Sequence, residues 1–237
     1  MWNVNGIRSV LSKNALNPLL NQTLPDFILI NETKVNEEMF LKEREKLTIP
    51  RYQGYWNFCK CSAGYSGVAV FTRFPPISVK EDFYGDETHS QEGRVLTMEY
   101  EKFYLIVVYI PSAGDKELKR LSYKMDRYWL AFDRHCSTIR EKAIKEGRGV
   151  IIGGDLNIAY QDGLDKHIPK IVGSWRDKQP GFTQSERIAF RKFLDQGWKD
   201  TFRCFYPNTT QYTWWKLGRN DRINNVGMRL DYFLVNK

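Results

Sequence analysis

Cysteine is scarce in this chain: Cys59, Cys61, Cys136 and Cys204 are the only four among 237 residues. They are too few and too scattered for a disulfide framework. Cys59 and Cys61 lie one residue apart, and no second Cys/His pair follows at zinc spacing. All four are expected as reduced thiols in an intracellular protein. Long apolar runs are missing as well. The longest, over residues 103–111, is too short to cross a bilayer, so no membrane association is expected. Residues 1–10 hold no apolar stretch of the kind a secretory signal requires. There is no low-complexity tract, repeat or Pro/Ser-rich linker. Acidic residues are outnumbered, 28 against 36 Lys and Arg, for a net charge of +8. That balance points towards a polyanionic partner, because counterion release rewards Lys and Arg set against phosphates. What is plentiful is core-forming material: 42% hydrophobic and 14% aromatic residues, which excludes extensive disorder. The length suits one large domain.

Apolar strand-like runs alternate with amphipathic segments. Buried strands are expected at Phe27–Asn31 (FILIN), at 149–153 and at 229–235 (RLDYFLV), and residues 65–73 have strand composition. Runs at 94–100 and 103–110 follow so closely that 98–103 reads as a hairpin corner. Apolar residues spaced by three and four from Leu118 to Ile139 predict one long helix over 115–146, stopped by Gly147. Thr183 and Glu186 have capping-box spacing and open a helix holding Ile188 and Leu194. Strands in hairpin groups with helices between them predict an α+β fold, with sheets packed face to face and helices outside.

Three acids sit beside buried strands: Glu32 after FILIN, Asp155 after VIIGG, and Asp231 within RLDYFLV. An acid there is costly unless it is paired, hydrogen-bonded or bound to a cation. Three of them, with Asn3, Asn5 and Asn157 in similar settings, suggest a shared polar site. Oxygen ligands with retained water suit Mg²⁺, and a metal plus a water-activating carboxylate can hydrolyse a phosphodiester.

Nine blocks carry a resemblance: WNVNGIR (2–8), NETK (31–34), GYSGVAVFTR (64–73), QEGRV (91–95), YIPSAG (109–114), GGDLNIA (153–159), GFTQSER (181–187), FRCFYPN (202–208) and NVGMRLDYFL (225–234). In order and interval the chain resembles the exonuclease III-type AP endonucleases of the endonuclease/exonuclease/phosphatase superfamily. The resemblance implies a four-layer α/β/β/α sandwich of two mainly antiparallel sheets, acting on double-stranded DNA with abasic sites. It implies Mg²⁺, with Mn²⁺ as a substitute, and a monomer. Glu32 matches the metal-binding glutamate, and Asn5 the position where many members have a metal-site aspartate. Asn3 matches the asparagine that helps hold site and phosphate, and Tyr109 the tyrosine whose hydroxyl sits on that phosphate. Asp155 matches the aspartate proposed to activate water, Asn157 its substrate-orienting neighbour, and Asp231 the aspartate that positions a histidine. Arg8, Lys34, Tyr65 and Arg94 match positions at or beside the DNA backbone. Trp214 and Met228 match the pocket for a flipped abasic sugar.

The chain also departs from that pattern. The family continues past RLDYFL into a Ser-Asp-His segment, whereas His89, His135 and His167 lie in no such motif. The expectation is one domain over 1–237 that lacks an edge at both ends. Asp115 stands where some relatives carry a DNA-inserting arginine. Two other readings compete with an abasic-site endonuclease that has 3′-phosphodiesterase or exonuclease activity. One is a retroelement-type endonuclease nicking intact DNA, and the other a catalytically silent DNA-binding module. The location implied is nuclear in a eukaryote and cytoplasmic in a prokaryote.

Overall fold

A computed structural model describes residues 1–83, 87–167, 178–217 and 220–236. The chain divides into two compact units, Met1–Tyr109 with Thr138–Gly154, and Ile110–Ser137 with Asp155–Lys237.

In the first unit, β1 (Trp2–Asn3), β2 (Phe27–Asn31), β3 (Gln53–Asn57) and β4 (Val68–Thr72) form one sheet in the order β1-β2-β4-β3. β1 runs parallel to β2, and β2 and β3 are both antiparallel to β4. A second sheet sets β5 (Ser78–Lys80), β6 (Val95–Glu99), β7 (Phe103–Tyr109) and β8 (Gly149–Asp155) side by side. β6 and β7 form the expected hairpin, with Glu99 opposite Tyr104 at its corner. Strand β2 explains how the layers stack. Successive side chains of a strand face opposite ways. Leu29 therefore packs with Val68, Val70, Leu96, Met98, Leu105 and Val107 between the two sheets. Ile28 and Ile30 face the other way and pack with Ile7, Val10, Leu47 and Phe71. Ile7 and Val10 belong to α1 (Ile7–Ser12); α2 (Asn17–Thr23) and α3 (Glu37–Glu43) follow along the chain. Beyond the second sheet lies the C-terminal half of α4 (Trp129–Lys145), whose Ile139 and Ala143 are buried. Its Lys142 ammonium sits 5.1 Å from the Tyr104 ring centre. The order helix, sheet, sheet, helix is the sandwich expected.

The second unit holds the start of α4, α5 (Gln184–Asp195), α6 (Thr201–Phe205), and the antiparallel pair β9 (Trp198–Asp200) and β12 (Asp231–Asn236). A two-stranded ribbon pairs β10 (Trp214–Trp215) with β11 (Gly227–Met228). Trp129, Phe132, Phe190, Phe193 and Trp198 form its aromatic core.

The helix expected over 115–146 is shorter. Turns occupy its first residues, because Leu118 is left-handed at φ 57° and the Asp115 carboxylate takes the Glu117 amide in a local loop. A π-helical turn over Tyr123–Tyr128 then leads into α4. The capping box of Thr183 and Glu186 is present in full at the start of α5. Ile188, placed on that helix by its sequence, is exposed; the buried positions are Glu186, Phe190 and Phe193. All four cysteines are free thiols.

Candidate active site

The polar residues of the first unit converge where β1 and β2 end. β1 lies beside β2 with Asn3 opposite Asn31, so Asn3 reaches the residue that follows β2. Asn3 Nδ2 donates to Glu32 Oε1 at 2.9 Å, and Tyr109 Oη, at the end of β7, donates to the same oxygen at 2.8 Å. The Lys34 ammonium stands 3.5 Å from Glu32 Oε2 and donates to Asn5 Oδ1. The backbone here is strained. Asn5, Glu32, Lys34 and Ser66 all adopt left-handed φ between 47° and 54°. Each costs on the order of 1–3 kcal/mol, and such residues cluster at functional sites. Gly67 is required in the same place: a Cβ on it would come within 2.3 Å of Thr33 Oγ1. The loop that carries Glu32 and Lys34 is thus held against the loop before β4, with the Thr33 and Lys34 amides donating to the Gly67 and Ser66 carbonyls.

Tyr109 is held from behind. Arg94, expected at or beside the DNA backbone, is 1% exposed. Its guanidinium lies 4.5 Å from the Tyr109 ring centre, donates to Tyr65 Oη at 2.6 Å, and is paired with Glu92. Its place in the structure is under the site rather than on the surface. Burying a cation needs partners, and the carboxylate and two aromatic faces supply them. Arg8, exposed on α1, lies 3.7 Å from Glu43.

In the second unit Asp155 is 5% exposed at the end of β8, and its Oδ1 accepts the Asn157 amide at 2.8 Å. Asn157 is left-handed at φ 51°, and its Nδ2 donates to the Ile110 carbonyl at 2.8 Å. Strand β8 reaches this position only because residue 154 is glycine: a Cβ there would lie 1.9 Å from the Val108 carbonyl oxygen. Beneath the Asp155–Asn157 turn is a group that sequence reasoning missed. Lys124, wholly buried in the π-helical turn, donates to the Asn157 carbonyl at 2.7 Å and to Glu186 at 2.5 Å. Burial pulls its ammonium below the ordinary lysine value, while Glu186 opposes that shift. Glu186 also accepts from the Gly181 and Thr183 amides. Its capping-box role was legible from spacing. Its partnership with a lysine 62 residues away carried no sequence signal.

Asp231 begins β12. Its backbone amide meets Thr213 Oγ1 at 3.3 Å, while its side-chain Oδ1 is buried without a hydrogen-bond partner among the described residues. Burial pushes its carboxyl up to about 6, with Thr213 opposing. A folded-state value above the unfolded one means that the carboxylate destabilises the fold increasingly as pH rises from about 4 to 6, and constantly above that. Asp231→Asn is expected to raise the melting temperature at pH 8 by several degrees, corresponding to on the order of 2 kcal/mol, and to change it little at pH 4. Thermal melts at the two pH values check this; an equal shift at both would contradict it. Trp214 and Met228 lie directly opposite each other across the β10–β11 ribbon, Trp214 exposed and Met228 half-buried.

The structure therefore gathers Asn3, Asn5, Glu32, Lys34 and Tyr109, with Arg94 and Tyr65 behind, in the first unit. It gathers Asp155 with Asn157, and Trp214 with Met228, in the second. Each unit thus holds an anchored carboxylate with an amide donor on it, Glu32 with Asn3 in the first and Asp155 with Asn157 in the second. The chain belongs to the Endonuclease/Exonuclease/phosphatase family, whose model matches residues 2–237. Among relatives it is 36% identical to an exodeoxyribonuclease of Bacillus subtilis, over all of this chain and 86% of that protein. It is 34% identical to a DNA-(apurinic or apyrimidinic site) endonuclease of Dictyostelium discoideum, of which it spans 61%. Among solved structures it is similar to the AP endonuclease LMAP of Leishmania major, with a TM-score of 0.88 and 26% identity over all of this chain and 78% of that one.

The family is one of hydrolytic, metal-dependent nucleases. The residues present fit a hard cation. Among the described residues no three His, Cys, Asp or Glu side chains gather. The donors on offer are one carboxylate and amide oxygens, which suits a metal that keeps most of its water. The Lys34 ammonium already places a positive charge between Glu32 Oε2 and Asn5 Oδ1. Among the described residues no helix is long and apolar enough to cross a membrane.

Proposed function

We propose that this DNA-repair nuclease hydrolyses the phosphodiester 5′ to an abasic site in double-stranded DNA, as an intracellular monomer using Mg²⁺ or, in its place, Mn²⁺. The observation that carries the reading is the Glu32 carboxylate, held on one oxygen by Asn3 and Tyr109 and facing a cation with the other, on a backbone strained at Asn5, Glu32 and Lys34. Glu32 and Asn5 would hold the metal, which supplies neutralisation of phosphate charge. Asp155 takes the proton of the attacking water; its Oδ1 is already fixed by the Asn157 amide, so the carboxylate does not have to reorganise. Asn157 spends one Nδ2 hydrogen on Ile110, and its second is available to orient the phosphate. Asn3 and, on turning its one hydroxyl hydrogen away from Glu32, Tyr109 supply further donors to the developing charge. Arg94 and Tyr65 act as positioning residues for Tyr109. Lys34 and Arg8 are cations for the DNA backbone, in keeping with the net charge of +8. Trp214 and Met228 take the extruded sugar, which flips most cheaply where the base is already gone.

The test is incision of abasic and intact duplexes by the same chain, with Mg²⁺ and with EDTA. With tetrahydrofuran as the abasic site, which has no aldehyde to react, Mg²⁺-dependent cutting of the abasic strand alone is expected. Equal cutting of intact duplex would favour a general nicking enzyme, and salt-sensitive binding without cutting a silent module.

A further inference from the structure

Beside the Trp214–Met228 ribbon stands a lysine that the hydrolytic mechanism does not use. Lys166 is bridged in antiparallel fashion to Met228, which is itself paired with Trp214. Residues directly opposite on neighbouring strands share a face, with Cβ atoms about 5 Å apart. Trp214, Met228 and Lys166 thus form one row. The side chains agree with that placement: Lys166 Nζ lies 3.3 Å from Met228 Sδ and 5.4 Å from the Phe182 ring centre. Among the described residues it makes no ion pair. Its backbone is fixed by its neighbour Asp165, fully buried, whose carboxylate takes Arg229 Nε at 2.8 Å and whose carbonyl takes the Arg229 amide at 2.7 Å. The ammonium is therefore held among apolar contacts while the side chain stays half-buried.

An amine in that setting is a nucleophile in waiting. Desolvation disfavours its charged form, which frees a lone pair for carbonyl compounds. Burial lowers Lys166 to about 8, and Glu186 is the carboxylate that opposes the shift. A ring-opened abasic sugar carries an aldehyde at C1′. We propose that Lys166 condenses with this aldehyde and gives the chain a second, metal-independent activity, cleavage of the abasic strand by β-elimination. The inference rests on the reading of Trp214 and Met228 as the sugar pocket. The Nζ lone pair adds to C1′, and loss of water leaves an iminium ion. The acidified C2′ proton passes to solvent water, the C2′–C3′ double bond forms, and the C3′–O bond breaks, with the phosphate of the 3′ neighbour leaving. Hydrolysis of the imine by water releases Lys166. No oxidant or reductant is consumed.

The experiment traps the imine. The chain is mixed, in EDTA and sodium borohydride, with duplex containing a natural abasic site, and in parallel with duplex containing tetrahydrofuran, which has no aldehyde. A covalent adduct is expected with the first duplex only, and peptide mass spectrometry is expected to place the reduced link on residue 166. Lys166→Arg keeps the charge and is expected to lower the adduct at least tenfold, with a thermal melt confirming its fold. No adduct with wild-type chain, a link on another residue, or an undiminished adduct in Lys166→Arg would each overturn the proposal. Incision of the tetrahydrofuran duplex in Mg²⁺ needs no aldehyde. It reports separately whether the hydrolytic reading stands.

Discussion

Replacing Asp155 with asparagine is expected to lower abasic-strand incision about 10³-fold while leaving the fold intact. Removal of a positioned general base costs typically 10²–10⁴ in rate. The asparagine retains an Oδ1, so the acceptor for the Asn157 amide, now 2.8 Å away, is kept and the turn that it closes survives. What is lost is proton affinity at a buried carboxylate. Initial rates in Mg²⁺ on a tetrahydrofuran duplex, with a thermal melt of both chains, check this. A variant that cuts within tenfold of wild type would remove Asp155 from the role of base.

The largest effect on stability is expected at Lys124, which touches no substrate. Lys124→Met leaves Glu186 as a buried carboxylate without its cation, and breaking a buried pair from one side costs about 3–5 kcal/mol. For a chain of this length that corresponds to a fall in melting temperature of about 10 °C. Adding Glu186→Gln should recover most of it. The second charge goes, and an amide oxygen remains to accept from the Thr183 and Gly181 amides. Thermal or urea melts of the single and double variants measure both steps. A single variant within 1 kcal/mol of wild type would mean that the pair is not the keystone of the Asn157 turn.

Much of the fold was legible because its strands are buried on both faces and therefore read as continuous apolar runs. FILIN is β2 to the residue, and the corner between β6 and β7 falls where two apolar runs come closest. The helix over 115–146 was overread because apolar spacing continues through Leu118, whereas a left-handed φ there and a side-chain-capped turn at Asp115 keep the chain out of helix. Periodicity does not see such local competition. The first-unit residues Asn3, Glu32 and Tyr109 were named through the motif blocks, yet their meeting at a single carboxylate oxygen depends on the parallel pairing of β1 with β2. Arg94 reads as a surface cation in sequence; only the structure reveals the aromatic faces of Tyr65 and Tyr109 that bury it. Lys124 and Lys166 carried no motif. Each acquires its character from burial and from partners far along the chain.

The chemistry of the cut ends tests the central claim most directly. Asp155-assisted attack of water on the phosphorus 5′ to the abasic sugar, with the 3′-oxygen of the preceding nucleotide as leaving group, gives a 3′-hydroxyl on one fragment and a 5′-phosphate bearing the sugar, or its tetrahydrofuran analogue, on the other. Mass spectrometry of the fragments released in Mg²⁺ by wild-type chain from a tetrahydrofuran duplex, where elimination is impossible, is predicted to find that pair of ends and to lose it in EDTA. A 3′-phosphate end, or the same cut in EDTA, would contradict hydrolysis at this site.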